Sequence, residues 1–186
     1  MRGLWFLPLM IATAGIVGSS PALAEKPADF WQTPTIKDYG KIHYLADSAY
    51  KPSPDQTYKI VFAMTTAPKS ADQVNPALNR LARTVNLYVA AGVPLDHLKF
   101  VAVASGAATS LVLDDAHYQK AYKMNNPNLP LIRKLRDAGI DVAVCAQAVA
   151  EHDYEYEWVD KSVTLALSAL TTITTLEHDG YSLMPL

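Results

Sequence analysis

The residue with the most distinctive chemistry in this sequence is Cys145, the single cysteine among 186 residues. It closes the apolar run at residues 140–145 and is followed by Ala146 and Gln147. A cysteine thiolate is a nucleophile, whereas a thiol buried among apolar side chains is inert. A lone cysteine therefore predicts a reactive thiol, an intermolecular disulfide or an ordinary core residue.

The position of Cys145 supports two of these interpretations. A sulfur at the start of a helix lies near free backbone N–H groups and the positive end of the helix dipole, which favour the thiolate. Free cysteines at the end of a Val-rich strand are also common core residues. The acidic run at residues 151–160 disfavours a thiolate, because like charges repel. Both a nucleophile and a buried core thiol stay open.

Other residue types that serve in catalysis or metal binding are not spaced for those roles. His152 lies about 10.5 Å beyond Cys145 along a helix, which is too far for it to act as the base. The histidines form no HxH or HxxxH pair, and one cysteine cannot build a thiolate metal site. The loop TTAPKSAD lacks the glycine of a phosphate-binding loop, and no Walker, GxGxxG or GxSxG motif occurs. We therefore predict no metal and no cofactor.

Short apolar runs separated by helical stretches are the elements that must position Cys145. Four runs have the length and β-branched content of strands, and a fifth run ends the chain: residues 58–64, 98–104, 140–145, 163–168 and 181–186. Between the first two, Asn75 suits a helix N-cap, Pro76 suits the first helical position, and Gly92 suits the end. The alternation predicts an α/β fold with a mainly parallel five-stranded sheet and helices on both faces.

The carboxyl ends of parallel strands lie along one edge of a sheet, and ligands bind outside that edge. Thr65 follows the first predicted strand, and Ser105 and Gly106 follow the second. Cys145 and Gln147 end and follow the third. We predict a catalytic role for Cys145 and substrate binding by the other four residues.

The first 24 residues predict a secretory signal peptide. Arg2 gives a positive start, Leu4 to Val17 form an apolar core, and Ala22-Leu23-Ala24 matches the small-x-small cleavage pattern. We therefore expect a periplasmic or secreted protein cleaved near Ala24. No later stretch has about 18 apolar residues, so we expect no membrane association after cleavage.

The remaining chain has the size of one domain with an adequate core. Residues 25–57 are rich in Pro, Asp and aromatic residues and predict an irregular N-terminal arm, and residues 58–186 predict the α/β domain. The net charge of the whole chain is −2, and loss of Arg2 makes it one unit more negative. Without a basic stripe, nucleic acid is excluded as a partner.

The order of several segments resembles the exported branch of the DsrE/DsrF-like family, whose members include YchN-like proteins and the sulfur-relay subunit TusD. The matching segments are FW-x-x-P at residue 30, YKIVF, VNPALNRLARTVNLYVAAGVP, NPNLPLIRKLRDAGIDVAVCAQ and SALTTITTLEHDGYSLMP. The resemblance covers most of the chain after the signal peptide. It implies a three-layer α/β sandwich and a homotrimer or homohexamer.

In relay members of this family, a cysteine at the position of Cys145 carries sulfur as a persulfide. The resemblance therefore implies a sulfur-handling protein that takes sulfane sulfur from a donor and passes it to an acceptor thiol, with a donor or acceptor protein as partner. The alternative hypothesis is a non-catalytic homo-oligomeric module that binds a small ligand or a partner and keeps Cys145 as a structural residue. Reaction of the native thiol with a reagent distinguishes the two.

Overall fold

Five parallel strands form the central sheet of the computed structural model, which describes residue 27 and residues 29–186. The strands are β1 (Tyr58–Met64), β2 (Leu98–Ala104), β3 (Asp141–Cys145), β4 (Thr164–Ala166) and β5 (Ser182–Pro185). Their order is β4-β3-β2-β1-β5, and every pairing is parallel. The α/β prediction is confirmed, with a sheet that is entirely parallel. The predicted signal peptide at residues 1–24 lies outside the described residues.

Within residues 29–186, five α-helices connect or flank the strands. They are α1 (Pro76–Ala90), α2 (Asp115–Tyr122), α3 (Leu129–Asp137), α4 (Ala146–Glu151) and α5 (Ala169–His178). Three 3₁₀ segments accompany them, at Leu95–His97, Gly106–Val112 and Tyr156–Trp158. In the part of the chain that the structure describes, no helix has the length and apolar character needed to cross a membrane.

Helix α1 forms where its capping residues predict it. The side chain of Asn75 accepts hydrogen bonds from the backbone N–H groups of Ala77, at 2.8 Å, and Leu78, at 3.4 Å. Pro76 occupies the first position, where a missing N–H costs nothing. After Ala90 the chain turns at Gly92, whose φ of +96° lies in the left-handed region that glycine adopts without strain.

The two faces of the sheet carry cores of different size. Side chains such as Phe62, Phe100 and Val142 pack on one face with α1 and α3. Residues of the opposite parity, among them Val61, Val103, Ala143 and Cys145, pack on the other face with α4 and α5. The molecule is therefore a three-layer sandwich of helices, sheet and helices.

The strand order requires α5 to connect the two edge strands of the sheet. β4 lies at one edge of the sheet and β5 at the other, next to β1. Helix α5 connects them and contacts both β1 and β2 on the way. It therefore crosses the thinner face on its way between the two edge strands, while α4 packs against β3 on the same face.

Residues 29–57 contain no helix and no strand longer than the isolated bridge between Gln32 and Ile42. Buried Asn86 on α1 holds this N-terminal arm with four hydrogen bonds to its backbone. Its Oδ1 accepts from the N–H groups of residues 35 and 36, and its Nδ2 donates to the carbonyls of residues 39 and 40. Gly40 lies directly on α1, since an added Cβ would sit 2.2 Å from the nitrogen of Arg83.

Candidate functional site

Cys145 is both the last residue of β3 and the N-cap of α4. Its Sγ accepts a hydrogen bond from the backbone N–H of Ala148 at 3.4 Å, and it faces the Oγ of Ser168 at 4.0 Å. The residue as a whole is 5% exposed. An N–H group pointed at the sulfur stabilises negative charge on it, which is the state that a nucleophile needs.

A cavity of about 400 Å³ opens over this sulfur at the carboxyl edge of the sheet. Its lining comes from the ends of β2 and β3, from α4 and from the start of α5: Ser105, Gly106, Cys145, Gln147, Ala148, Glu151, Ser168, Ala169 and Leu170. Four of the five residues predicted from the sequence therefore lie around one cavity. The fifth, Thr65, is not among the lining residues, although its backbone oxygen lies 3.6 Å from the Cβ position that Gly106 lacks.

Gln147 ties the two sides of the cavity together. Its Nε2 donates to the carbonyl oxygen of Leu167 at 3.1 Å, just before Ser168. Ser168 in turn caps α5, because its Oγ accepts from the N–H of Leu170 at 3.2 Å. Ser168 was not predicted as a site residue, although the rule that selected Ser105 applies equally to a serine at the end of the fourth predicted strand.

Gly106 lines the cavity at the carboxyl end of β2. Its φ of +53° lies in the left-handed region, and its carbonyl accepts hydrogen bonds from Thr109 Oγ1 at 2.7 Å and from the ring Nε2 of His152 at 2.9 Å. Because a carbonyl only accepts, His152 carries its proton on Nε2 in this contact. His152 follows directly after α4, which ends at Glu151, and its ring contacts the carbonyl of Gly106 rather than the sulfur of Cys145.

The charge of the lining comes from one carboxylate, that of Glu151, and no lysine or arginine contributes to it. Next to the cavity, the ring of His152 stacks on Tyr154 at 5.5 Å. Burial, followed by the neighbouring Tyr122, raises the pKa of Tyr154 to about 12, so this phenol is neutral in the physiological range.

Across the described residues, no group of three or more His, Cys, Asp or Glu side chains could hold a metal ion. The lining of the cavity offers one sulfur, hydroxyl groups, one amide and one carboxylate. These groups suit nucleophilic chemistry at sulfur on a small substrate.

Together these features define an α/β protein with a parallel sheet and a thiol beside a cavity at the carboxyl edge of that sheet. The model of the DsrE/DsrF-like family matches residues 58–186, so the chain belongs to this family. The family is linked in general to sulfur relay. This finding confirms the resemblance to the DsrE/DsrF-like family.

A solved structure with the same fold is that of MTH1491 from Methanobacterium thermoautotrophicum, a protein described as of unknown function. The two structures superpose with a TM-score of 0.51 at 15% sequence identity, covering 69% of this chain and 99% of the other. At this identity the similarity establishes the fold alone. No curated protein matches the chain significantly.

Proposed function

We propose that the protein handles sulfane sulfur and that Cys145 carries it as a persulfide for transfer to an acceptor thiol. The observation that carries the proposal is the contact between the sulfur and the N–H of Ala148 at the base of an open cavity. Membership of a family linked to sulfur relay supports it. Ser105, Gly106 and Gln147 bound the space in which a donor would lie.

The transfer needs no external oxidant. The Cys145 thiolate attacks a sulfane sulfur of a polysulfide, so that one S–S bond forms on the protein while one S–S bond of the donor breaks. The shortened donor leaves as a hydrosulfide or polysulfide anion. In the second half, an acceptor thiolate attacks the outer sulfur, and Cys145 leaves as a thiolate.

The test is an intact-mass measurement of the purified protein before and after incubation with polysulfide, and again after reductant. We expect a gain of about 32 Da per added sulfur that reductant reverses and that Cys145→Ser abolishes. A Cys145→Ser protein that gains the same mass would refute the proposal. The thermal unfolding temperature of the variant serves as the control for folding.

A second candidate function rests on the burial of the same residue. Cys145 is 5% exposed and packs with Val61, Val103 and Ala143, as a structural core thiol would. In that case the protein is a non-catalytic module that binds a small ligand or partner. A native thiol that reacts with a chromogenic disulfide reagent within minutes favours the carrier, whereas reaction only in denaturant favours the module.

We also propose that the protein is exported and is cleaved after Ala24. The charged start, the apolar core and the Ala22-Leu23-Ala24 pattern support this location. Expression of the full chain in a Gram-negative bacterium, followed by fractionation, tests it. A periplasmic product that begins at Glu25 is expected, and an uncleaved cytoplasmic product would contradict export.

The outer face of α5 supports a homo-oligomer, which we propose as a trimer or hexamer. No charged residue occurs between Ala169 and Leu176, and Leu170 is 79% exposed. The hydroxyls of Thr171 and Thr174 donate to helix carbonyls, to that of Ser168 at 3.2 Å and that of Leu170 at 2.9 Å. Their hydroxyls are thus already hydrogen-bonded within the helix, and an uncharged face of this kind favours contact with another protein surface.

A further inference from the structure

A cavity between the N-terminal arm and α1 lies at the opposite end of the sheet from Cys145. It measures about 600 Å³, within the range of small-molecule sites, and Tyr58, the first residue of β1, forms part of its lining. The proposed sulfur chemistry does not use this cavity, so its lining residues are free to bind a different ligand.

Four of the twelve lining residues are tyrosines (Tyr44, Tyr50, Tyr58 and Tyr88), and His43 and Leu87 also contribute to the lining. The rings of Tyr58 and Tyr88 meet edge to face at 4.7 Å, and Tyr88 also meets Phe100 of the core at 5.4 Å. The hydroxyl of Tyr58 accepts from the N–H of Ser53 at 2.7 Å. Two of the four rings are thus fixed before any ligand binds, and fixed aromatic surfaces bind planar rings at low entropic cost.

Tyr50 has a conformation that the fold does not explain. Its φ is +56°, a left-handed backbone that costs a non-glycine residue free energy, and its side chain is fully exposed. A large ring kept in water at the rim of an aromatic cavity has an apolar face available for a ligand. The exposed ring of Tyr50 therefore indicates a ligand site independently of the shape of the cavity.

The charge of the lining favours an anionic ligand. Lys51 lines the cavity, and neither of the nearby carboxylates, Asp47 and Asp55, does so. Lys51 donates to the carbonyl of Ala46 but forms no ion pair within the described residues, so its charge is not neutralised. Tyr88 has no hydrogen-bond partner for its hydroxyl within the same residues. Burial raises the pKa of Tyr88, which keeps the hydroxyl protonated and able to donate.

From the tyrosine lining, the unpaired Lys51 and the exposed ring of Tyr50, we infer that this cavity binds a small aromatic carboxylate. The ring lies against the tyrosines and Leu87, and the carboxylate accepts hydrogen bonds from the Lys51 ammonium and the Tyr88 hydroxyl. This site is independent of Cys145, because the cavity lies at the amino ends of the parallel strands and Cys145 lies at their carboxyl ends.

Isothermal titration calorimetry with two probes of equal size tests the charge preference: 2-naphthoate, an anion, and 2-naphthylmethylammonium, a cation. We expect one site per chain with at least about fivefold higher affinity for the anion, the difference expected from one partly screened charge. Lys51→Glu should reverse the preference, and Lys120→Glu on α2 should leave it unchanged. Equal affinities for both probes, or an unchanged preference in Lys51→Glu, would overturn the inference.

A second variant tests the location. Leu87→Asp introduces a carboxylate on a side chain that is already 39% exposed on α1, so the helix should still fold. We expect loss of 2-naphthoate binding. The Cys145→Ser variant should bind like the wild type, which separates this site from the proposed sulfur carrier. Retained binding in Leu87→Asp, with normal thermal unfolding, would show that the probe binds elsewhere.

Discussion

The environment of a sulfur atom decides whether a cysteine reacts, and at Cys145 three groups set that environment. The N–H of Ala148 donates to the sulfur, the hydroxyl of Ser168 faces it, and Glu151 contributes the one carboxylate of the cavity. The first contact favours a thiolate, whereas the carboxylate opposes it. Small changes in charge next to the sulfur should therefore alter its reactivity strongly.

A matched pair of variants at Ser168 tests this sensitivity. Asp and Asn both cap helices well, so both should preserve the start of α5. Ser168→Asp places a negative charge near the sulfur, and we expect the alkylation of Cys145 by iodoacetamide at neutral pH to be roughly tenfold slower than in Ser168→Asn. Mass spectrometry of the alkylated protein gives the rates. Equal rates in the two variants would mean that the hydroxyl position is not electrostatically coupled to the thiol.

At the scale of elements, Asn86 determines how the N-terminal arm is attached. The side chain is fully buried and uses all its hydrogen-bonding capacity on the arm backbone. Asn86→Ala leaves buried backbone groups without partners, and we expect a loss of about 2–4 kcal/mol in the free energy of unfolding. Urea unfolding measures it.

Asn79 provides the graded control for that measurement, because it makes one bond to the arm, from the N–H of Gly40 to Oδ1 at 2.8 Å. Asn79→Ala should cost about 1 kcal/mol. Limited proteolysis should cleave the arm faster in the Asn86 variant than in the Asn79 variant. If both variants lose the same stability, the arm is not attached mainly through Asn86.

Asp160 stabilises the segment that leads into β4. Its Oδ1 accepts from the N–H of Ser162 at 2.9 Å, and its Oδ2 accepts from Arg133 at 3.3 Å. Partial burial raises the pKa of Asp160, but the bonds to Ser162 and the charge of Arg133 outweigh that effect and hold it below its ordinary value. A lowered pKa stabilises the folded state above the pKa of the unfolded chain, and this stabilisation disappears as the pH falls through the folded value.

Asp160→Asn should therefore cost about 1 kcal/mol at neutral pH, because solvent screens a partly exposed carboxylate, and progressively less as the pH falls below ~4 and then through the lower pKa of the folded carboxyl. Urea unfolding at a series of pH values measures the difference. If the free energies of unfolding of the wild type and the variant differ by the same amount from neutral pH to pH ~2, the carboxylate of Asp160 does not have this stabilising role.

The elements could be predicted from the sequence because their signals are local. Asn75 and Pro76 start α1 in the structure as in the prediction, and strand-length apolar runs became strands. The contact of His152 with the carbonyl of Gly106 could not be predicted, because the two residues lie 46 positions apart. Glu151 was missed for a local reason: the sequence shows an acidic run there and does not reveal that α4 ends at this residue, beside the cavity.

At the scale of the whole molecule, the uncharged face of α5 is the surface at which the proposed homo-oligomer can be tested. The double variant Thr171→Lys/Thr174→Lys adds two positive charges to that face, and the resulting like-charge repulsion should reduce the assembly to a monomer. Size-exclusion chromatography with light scattering gives the mass. The matched control is Gln56→Lys/Thr57→Lys, which adds the same charge at exposed positions before β1. A wild-type monomer, or an assembled double variant, would contradict the proposed interface.

The crossing of α5 from one edge of the sheet to the other has a consequence for folding kinetics. β1, β2 and β3 pair with strands that are near in sequence, but β5 must dock on β1 from the far edge; Lys59 donates to the carbonyl of Asp179, 120 positions later. Such long-range pairing is slow, because the loop entropy is lost before the contacts form. β1 therefore keeps an open edge until late in folding, and we expect aggregation during refolding to begin at that strand.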